Sequence, residues 1–280
     1  MCCWRPERGV TAAGGQGVDD KQSRRKRNLV RAITETAAAP VLALIILAVW
    51  QVGVPLAGIS DFILPTPWQI LRRIVVDHRL MATHAGVTLL ETLAGFALAA
   101  VTGVGTALMI FYSRLFERAI YPLLVALQTI PKVALAPLLV LYLGYGFAPK
   151  LFLAFLLAFF PIVIATVVGL NGLDKAMVNL VRSMGASEWQ TFFKVRLPSA
   201  LPSLFGGLKV GISLAVIGAV IGEYVAAERG LGYLQLQASS QFDTTLSFAA
   251  MIVIAALGVV TFWSLEALEK RAVFEREAAR

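Results

Sequence analysis

The chain has 280 residues, of which 58% are hydrophobic and 15% charged, and its mean hydropathy is +0.75. A water-soluble domain carries about 25% charged residues, so this composition excludes an ordinary soluble protein. The formal net charge of +8 is unevenly distributed, because residues 1–37 contain eight Lys or Arg and no apolar periodicity. We expect this stretch to be a disordered cytoplasmic tail whose basic cluster contacts anionic lipid headgroups, not nucleic acid.

Apolar runs near 20 residues predict about six transmembrane helices and therefore an all-α integral membrane protein. The predicted spans are 38–57, 85–111, 119–143, 151–171, 205–226 and 247–266. The transmembrane domain would occupy 38–270, and 271–280 would form a C-terminal cytoplasmic tail.

The distribution of Lys and Arg predicts that both termini are cytoplasmic. In that orientation 19 of the 25 basic residues face the cytoplasm and five lie outside, as the positive-inside rule requires. Three of those five fall in the first outer loop. We expect that loop to form an interfacial helix with an apolar and a basic face. Its apolar face would carry Trp68, Leu71, Ile74 and Val75, and its polar face Gln69, Arg72 and Arg73.

Small residues recur at every fourth position in the second and fifth spans. The rows are Gly95, Ala99 and Gly103, and Gly207, Gly211, Ala215 and Ala219. Such rows let helix backbones approach closely in lipid. The pattern fits packing within one chain and a seam between two copies equally well.

Three ionisable side chains lie inside predicted spans, where each is costly unless it is paired or hydrated. Glu91 lies in the second span, Lys132 in the third and Glu223 near the outer end of the fifth. Pro131 and Pro137 should break the third span around Lys132 and free backbone carbonyls there. Lys132 either lines the translocation pathway, attracting an anionic solute, or forms a buried ion pair with Glu91. Glu223 fits a helix-end or gate residue better than a ligand.

The loop between the fourth and fifth spans, 174–204, is long for a simple connection. Asp174 can cap a first short helix that Gly185 ends, and Ser187 can cap a second that carries Trp189. The Leu-Pro pairs at 197–198 and 201–202 should then stop the helical pattern before span five. The aromatic side chains of the second helix need a partner outside the bilayer.

This loop resembles the EAA loop of the permease subunits of bacterial ATP-binding cassette (ABC) importers, in the group serving sulfonates, taurine, nitrate and related solutes. The family pattern is Glu-Ala-Ala, three residues, Gly, nine residues, then Ile-x-Leu-Pro. Gly185, Val195, Leu197 and Pro198 stand at the matching offsets, whereas Asn179-Leu180-Val181 replaces Glu-Ala-Ala. Further similar segments extend the resemblance over roughly 40–270.

The resemblance implies a type I importer-like bundle in the bacterial inner membrane, with a second copy of the chain and two ATP-binding subunits as partners. A periplasmic or lipid-anchored solute-binding protein would deliver the solute. Residues implied to contact the ATPase are Gly185, Ala186, Ser187, Glu188, Trp189, Leu197 and Pro198. The chain itself would bind no cofactor. It lacks the G-x-x-x-x-G-K-[ST] phosphate loop, so ATP and Mg would be used by the partner ATPase.

The resemblance allows sulfonates, taurine, nitrate or cyanate as the solute. Glu91 and the run from Gln128 to Pro137 are also similar to relatives that handle pyrimidine precursors of thiamine, or riboflavin. A proton-coupled secondary transporter using Glu91 and Lys132 is the alternative, but it leaves the 174–204 loop unexplained. Enzyme chemistry is not expected, since the only two histidines, His78 and His84, lie apart from any cluster of metal ligands.

Overall fold

The computed structural model describes residues 40–277 of the chain, with side chains up to residue 272. The basic segment 1–37 lies outside the described residues. Residues up to 60 and residues from 61 onward form two separate units. In the first, helix α1 spans Pro40–Leu56. It begins at a proline, whose missing N–H is not needed in the first helical turn.

The described residues of the second unit form helices and turns, and no strand. Its helices are α2 (Pro67–Val76), α3 (His78–Tyr112), α4 (Arg114–Leu127), α5 (Ala136–Leu143), α6 (Phe147–Asn171), α7 (Lys175–Ser183), α8 (Glu188–Thr191), α9 (Leu197–Ala226), α10 (Leu231–Ser240) and α11 (Thr244–Glu277). A short 3₁₀ turn, Lys132–Leu135, precedes α5, and a π-helical turn, Phe192–Arg196, joins α8 to α9. Helix α11 extends to Glu277, into the segment expected to be a tail after residue 270.

Within residues 40–277, four helical segments are long and apolar enough to cross a membrane: α3, α6, the continuous stretch Glu188–Ala226, and α11. They correspond to the second, fourth, fifth and sixth predicted spans. The third predicted span is not one rod. Helix α4 and the Lys132–Leu143 segment are bent by 85° relative to each other. The break follows from Pro131, which cannot donate a backbone hydrogen bond, and from Pro137 in the first turn of α5.

The core of the bundle is formed where α6 packs between α3 and α9. A Cβ atom on Gly95 would lie 2.6 Å from Ala154 Cβ, and one on Gly218 would lie 2.7 Å from the Ala154 Cα. A Cβ on Gly207 would similarly meet Ala165 at 2.5 Å. The small-residue rows of α3 and α9 therefore let both helices approach α6 of the same chain. Of the two interpretations that the sequence left open, the structure supports packing within one chain.

Helix α2 begins with a reciprocal cap between Thr66 and Gln69. Its Ile70 is fully buried in the bundle, and Arg73 forms an ion pair of 2.9 Å with Asp243, just before α11. Most of the remaining apolar face is exposed, including Trp68. The helix therefore keeps an apolar surface free for an environment outside the chain, as expected for an interfacial helix.

Candidate functional site

The first candidate site is the 174–204 loop, in which α7 is capped at both ends. The Asp174 carboxylate accepts a hydrogen bond of 2.9 Å from the backbone N–H two residues later. At the other end, Gly185 has φ +85°. Its N–H donates to the Arg182 carbonyl at 2.9 Å, and the Ala186 N–H donates to the Val181 carbonyl at 3.3 Å. This bonding pattern is the Schellman motif, which requires a residue at positive φ and therefore favours glycine. Both predicted helix ends are confirmed.

Helix α8 begins with a capping box formed by Ser187 and Gln190. The Gln190 N–H donates to Ser187 Oγ at 3.2 Å, while the Ser187 N–H donates to Gln190 Oε1 at 3.0 Å. Glu188, in the first turn, forms an ion pair of 2.5 Å with Arg182. Because both side chains are exposed, this pair adds little stability. It links the end of α7 to the start of α8.

One side of the loop is anchored to the bundle through Phe192. Phe192 is buried, with its ring centroid 5.6 Å from that of Tyr112 at the end of α3. It also packs in one apolar cluster with Leu170, at the end of α6, and Ala200, near the start of α9. The loop is therefore attached to three core helices at one end of the bundle. A displacement of the loop would be transmitted to all three helices.

The other side of the loop exposes an apolar surface, which we call the coupling patch. It consists of Met177, Leu180, Met184 and Trp189, each about half exposed or more. Trp189 is 70% exposed, and its ring centroid lies 4.3 Å from that of Phe193. Exposed apolar groups of this size on a rigidly capped segment are typical of a docking surface. Of the predicted coupling residues, Gly185, Ser187, Glu188 and Trp189 are exposed and Ala186 is half-buried.

The two remaining predicted coupling residues, Leu197 and Pro198, lie in the first turn of α9 and are half-buried. Leu197 packs against the cluster around Phe192. The prediction that the Leu-Pro pairs stop the helix is wrong, because the helical path runs from Glu188 to Ala226 without a break. Pro198 directly follows the π-helical turn Phe192–Arg196, where the backbone hydrogen-bond pattern changes from that of a regular α-helix.

The second candidate site surrounds Glu91, which forms a buried ion pair with Lys150. Glu91 is 1% exposed and Lys150 is 5% exposed. The expectation that Lys132 would be the partner of Glu91 is therefore wrong. Lys150 stands one turn into α6, where α6 packs against both α3 and α9, so its ammonium group reaches Glu91 directly.

Glu223, near the end of α9, is also buried and belongs to the same group of side chains. Its Oε1 accepts a 2.6 Å hydrogen bond from Thr88 Oγ1, and its Oε2 accepts another of 2.6 Å from the Gly232 N–H. The Leu231 N–H in turn donates to Thr88 Oγ1 at 2.8 Å. We call Thr88, Glu91, Lys150 and Glu223 the carboxylate cluster. It attaches the start of α10 to α3 and α9.

His84 extends these contacts by one turn of α3. Its Nδ1 lies 3.0 Å from the Gly230 nitrogen, and Gly230 adopts φ +124°. The ring stacks on Tyr233 at 6.3 Å between centroids. His84 is therefore engaged in holding the turn before α10.

Lys132 lies in the 3₁₀ turn between α4 and α5, away from the carboxylate cluster. Its Nζ donates a 2.9 Å hydrogen bond to the Gln128 carbonyl and lies 4.8 Å from the centre of the Phe160 ring. The carbonyl is one of those that the proline break was expected to free. In the described part of the chain, no carboxylate forms an ion pair with Lys132. Its charge is held by a carbonyl dipole and an aromatic face.

The buried network also contains Lys150, Thr88 and His84, none of which the sequence singles out as a site residue. Lys150 stands immediately before the fourth predicted span, 151–171, and so counts among the five basic residues expected outside. The available signal was charge balance, since two carboxylates inside predicted spans need at least one cation nearby. Which of the lysines supplies it depends on helix packing.

Comparison with known proteins identifies relatives for most of the chain. The family described as "Binding-protein-dependent transport system inner membrane component" matches residues 99–273. The formylaminopyrimidine transport permease protein ThiX of Halalkalibacterium halodurans is 39% identical over 81% of this chain and 90% of its own length. The riboflavin transport system permease protein RibX of Chloroflexus aurantiacus is 38% identical over 92% of this chain and 96% of its own.

Among solved structures, the fold is similar to a chain of the MetNI methionine ABC transporter in an inward-facing conformation. The TM-score is 0.57 at 19% sequence identity, covering 76% of this chain and 98% of that chain. At this identity the likeness concerns the arrangement of helices. It agrees with the predicted type I importer-like bundle.

Proposed function

The chain belongs to the family of binding-protein-dependent transport system inner membrane components, and we propose that it imports a small heteroaromatic solute when driven by a separate ATPase through its coupling patch. As a member of this family it is a multi-pass permease subunit of an ABC importer, which works with ATPase and substrate-binding components. The alternative of a proton-coupled secondary transporter has no support from the relatives.

The observation that carries the coupling role is the division of the 174–204 loop into an anchored side and an exposed side. Phe192 fastens the loop to α3, α6 and α9, while Trp189 projects away from the bundle. A short helix that presents apolar side chains suits insertion into a groove of a partner protein. The Schellman motif at Gly185 ends α7 and the capping box at Ser187 begins α8, so the turn between the two helices is defined before any partner binds, which lowers the entropic cost of docking.

We propose that the ATPase subunit binds the coupling patch and moves it when ATP closes the motor dimer. The ATP and its Mg belong to that subunit. Because the loop is attached to three helix ends at once, its displacement turns these helices as a unit. Two copies of the chain would form the pathway between them, each with one ATPase subunit. Both termini and the coupling patch would then face the cytoplasm.

The solute class is proposed from the relatives. The two described above carry names that refer to formylaminopyrimidine and riboflavin transport, and both are nearly 40% identical to this chain. Both solutes are planar nitrogen heterocycles, which favours this class over the sulfonates, taurine and nitrate also allowed by the sequence. A periplasmic or lipid-anchored binding protein would capture the solute first and supply most of the selectivity.

The test is transport in proteoliposomes that contain the chain, its ATPase and its solute-binding protein. Formylaminopyrimidine, riboflavin and taurine are supplied as separate substrates, with and without ATP. We expect ATP-dependent uptake of a heteroaromatic solute and none in vesicles that lack the ATPase. Uptake without the ATPase would contradict the coupled importer, while ATP-dependent uptake of taurine alone would contradict only the solute class.

A further inference from the structure

The carboxylate cluster contains two acidic side chains and one basic side chain, all buried. Glu91, Lys150 and Glu223 are each at most 5% exposed. If both carboxyl groups were ionised, the cluster would carry one uncompensated negative charge. An unbalanced charge is costly in a buried site.

Within residues 40–272, Lys150 is the only basic side chain that forms an ion pair with the cluster. The other ionisable groups on α3, α9 and α10 are His78, Arg79, His84, Tyr112, Lys209, Tyr224 and Tyr233, and the turn before α10 adds Glu228 and Arg229. Lys209 is paired with Glu269 on α11. Tyr224 donates to Gln235, and His84 is engaged with Gly230. The outer half of α11, residues 244–260, has no ionisable side chain.

The hydrogen bonds indicate which carboxyl group is ionised. Both Glu223 oxygens accept a hydrogen bond, one from the Thr88 hydroxyl and one from the Gly232 N–H. A carboxylate is suited to this because each oxygen acts as an acceptor. Glu223 is therefore the anionic member of the cluster.

Glu91 is bonded differently. Its Oε1 contacts the Lys150 ammonium group, but its Oε2 receives no hydrogen bond from any N–H or O–H among the described residues, although it is fully buried. Glu223 lies beside Glu91, because its Oε1 accepts a hydrogen bond from Thr88 Oγ1, one turn before Glu91 on α3. Two neighbouring carboxylates repel each other, and the contact becomes favourable when one of them carries a proton.

We propose that the carboxylate cluster is a one-proton binding site, in which Glu91 is a neutral carboxylic acid that donates its proton to the Glu223 carboxylate. The cluster is then neutral, with one ammonium, one carboxylate and one acid. The proton completes the network that ties α3, α6, α9 and the start of α10 together. It is a resident of the folded chain and is not carried across the membrane, so the site is independent of the proposed solute and motor.

Infrared spectroscopy of the purified full-length chain in lipid nanodiscs at neutral pH tests the assignment directly. We expect the carbonyl stretching band of a protonated carboxyl group in the wild type. The band should be lost in Glu91→Gln, which removes the acid. It should also be lost in Glu223→Gln, because Glu91 can then ionise against Lys150 alone. The control Glu117→Gln, at an exposed position on α4, should leave the band unchanged.

Thermal unfolding gives a second, independent readout. Glutamine resembles the protonated acid in shape and can donate to Glu223, so Glu91→Gln should melt within about 2 °C of the wild type. Glu223→Gln loses the anion that accepts two hydrogen bonds and should melt distinctly lower. As the pH rises through the weakly acidic range, the unfolded chain releases the Glu91 proton while the folded chain keeps it. The wild type should therefore lose stability over this range, and Glu91→Gln should lose less.

Absence of the band from the wild type at neutral pH would overturn the proposal. It would also be overturned if the band persisted in Glu91→Gln, or if Glu91→Gln and Glu223→Gln melted equally low. An ionised Glu91 solvated by a buried water or a bound cation would produce the first of these results.

Discussion

Replacing Trp189 by alanine tests whether the coupling patch binds the ATPase. Trp189 is 70% exposed, so the substitution removes little packing within the chain and should leave its melting temperature almost unchanged. Tryptophan residues at the centre of an interface typically contribute 2 kcal/mol or more to binding when truncated to alanine. Since 1.4 kcal/mol corresponds to a tenfold change in affinity, we expect binding of the ATPase to weaken by about 30-fold.

The assay is a titration of the labelled ATPase subunit against the full-length chain in lipid nanodiscs. Trp68→Ala is a matched control, because Trp68 is 66% exposed on α2 and lies in the predicted outer loop. It should leave ATPase affinity unchanged. The coupling assignment would be refuted if Trp189→Ala retained wild-type affinity, or if both variants weakened binding equally.

Three other substitution experiments probe the loop, the core and the orientation. Gly185→Val should weaken ATPase binding by about 5- to 30-fold, because a side chain at φ +85° costs about 1–2 kcal/mol and shifts the loop away from its docking conformation. The melting temperature should fall by only a few degrees, since no atom lies within 4 Å of the added Cβ. Gly206→Val, in open space on α9, should bind normally. Gly218→Val should lower the melting temperature by several degrees, because the added Cβ would lie 2.7 Å from the backbone of α6. A melting curve equal to that of Gly206→Val would contradict the packing of α9 on α6. Topology can be tested by thiol labelling in a variant whose native cysteines are replaced by serine. Met184→Cys should react with a membrane-impermeant thiol reagent only from the cytoplasmic side, and Gln241→Cys only from the outside. The reverse pattern would contradict the predicted topology.

The caps of the 174–204 loop could be predicted because they are local. A carboxylate or hydroxyl before a helix, a glycine after it and a glutamine three residues beyond the cap interact within one or two turns, so spacing alone specifies Asp174, Gly185 and Ser187. The continuation of the helix through Pro198 was missed for an equally local reason. A π turn is rare, and nothing in the sequence distinguishes it from a helix end.

The sequence by itself determined that the chain is an all-helical membrane protein, which segments are apolar enough to span, and where the coupling loop begins and ends. These features depend on composition and on contacts between near neighbours. The tertiary structure decided that Lys150, and not Lys132, neutralises Glu91, and that Thr88 bonds to Glu223 across 135 positions of the chain. It also set the 85° bend after α4. Such pairings follow from the close approach of α3, α6 and α9 at their small residues, which brings together groups whose separation in the sequence carries no sign of contact.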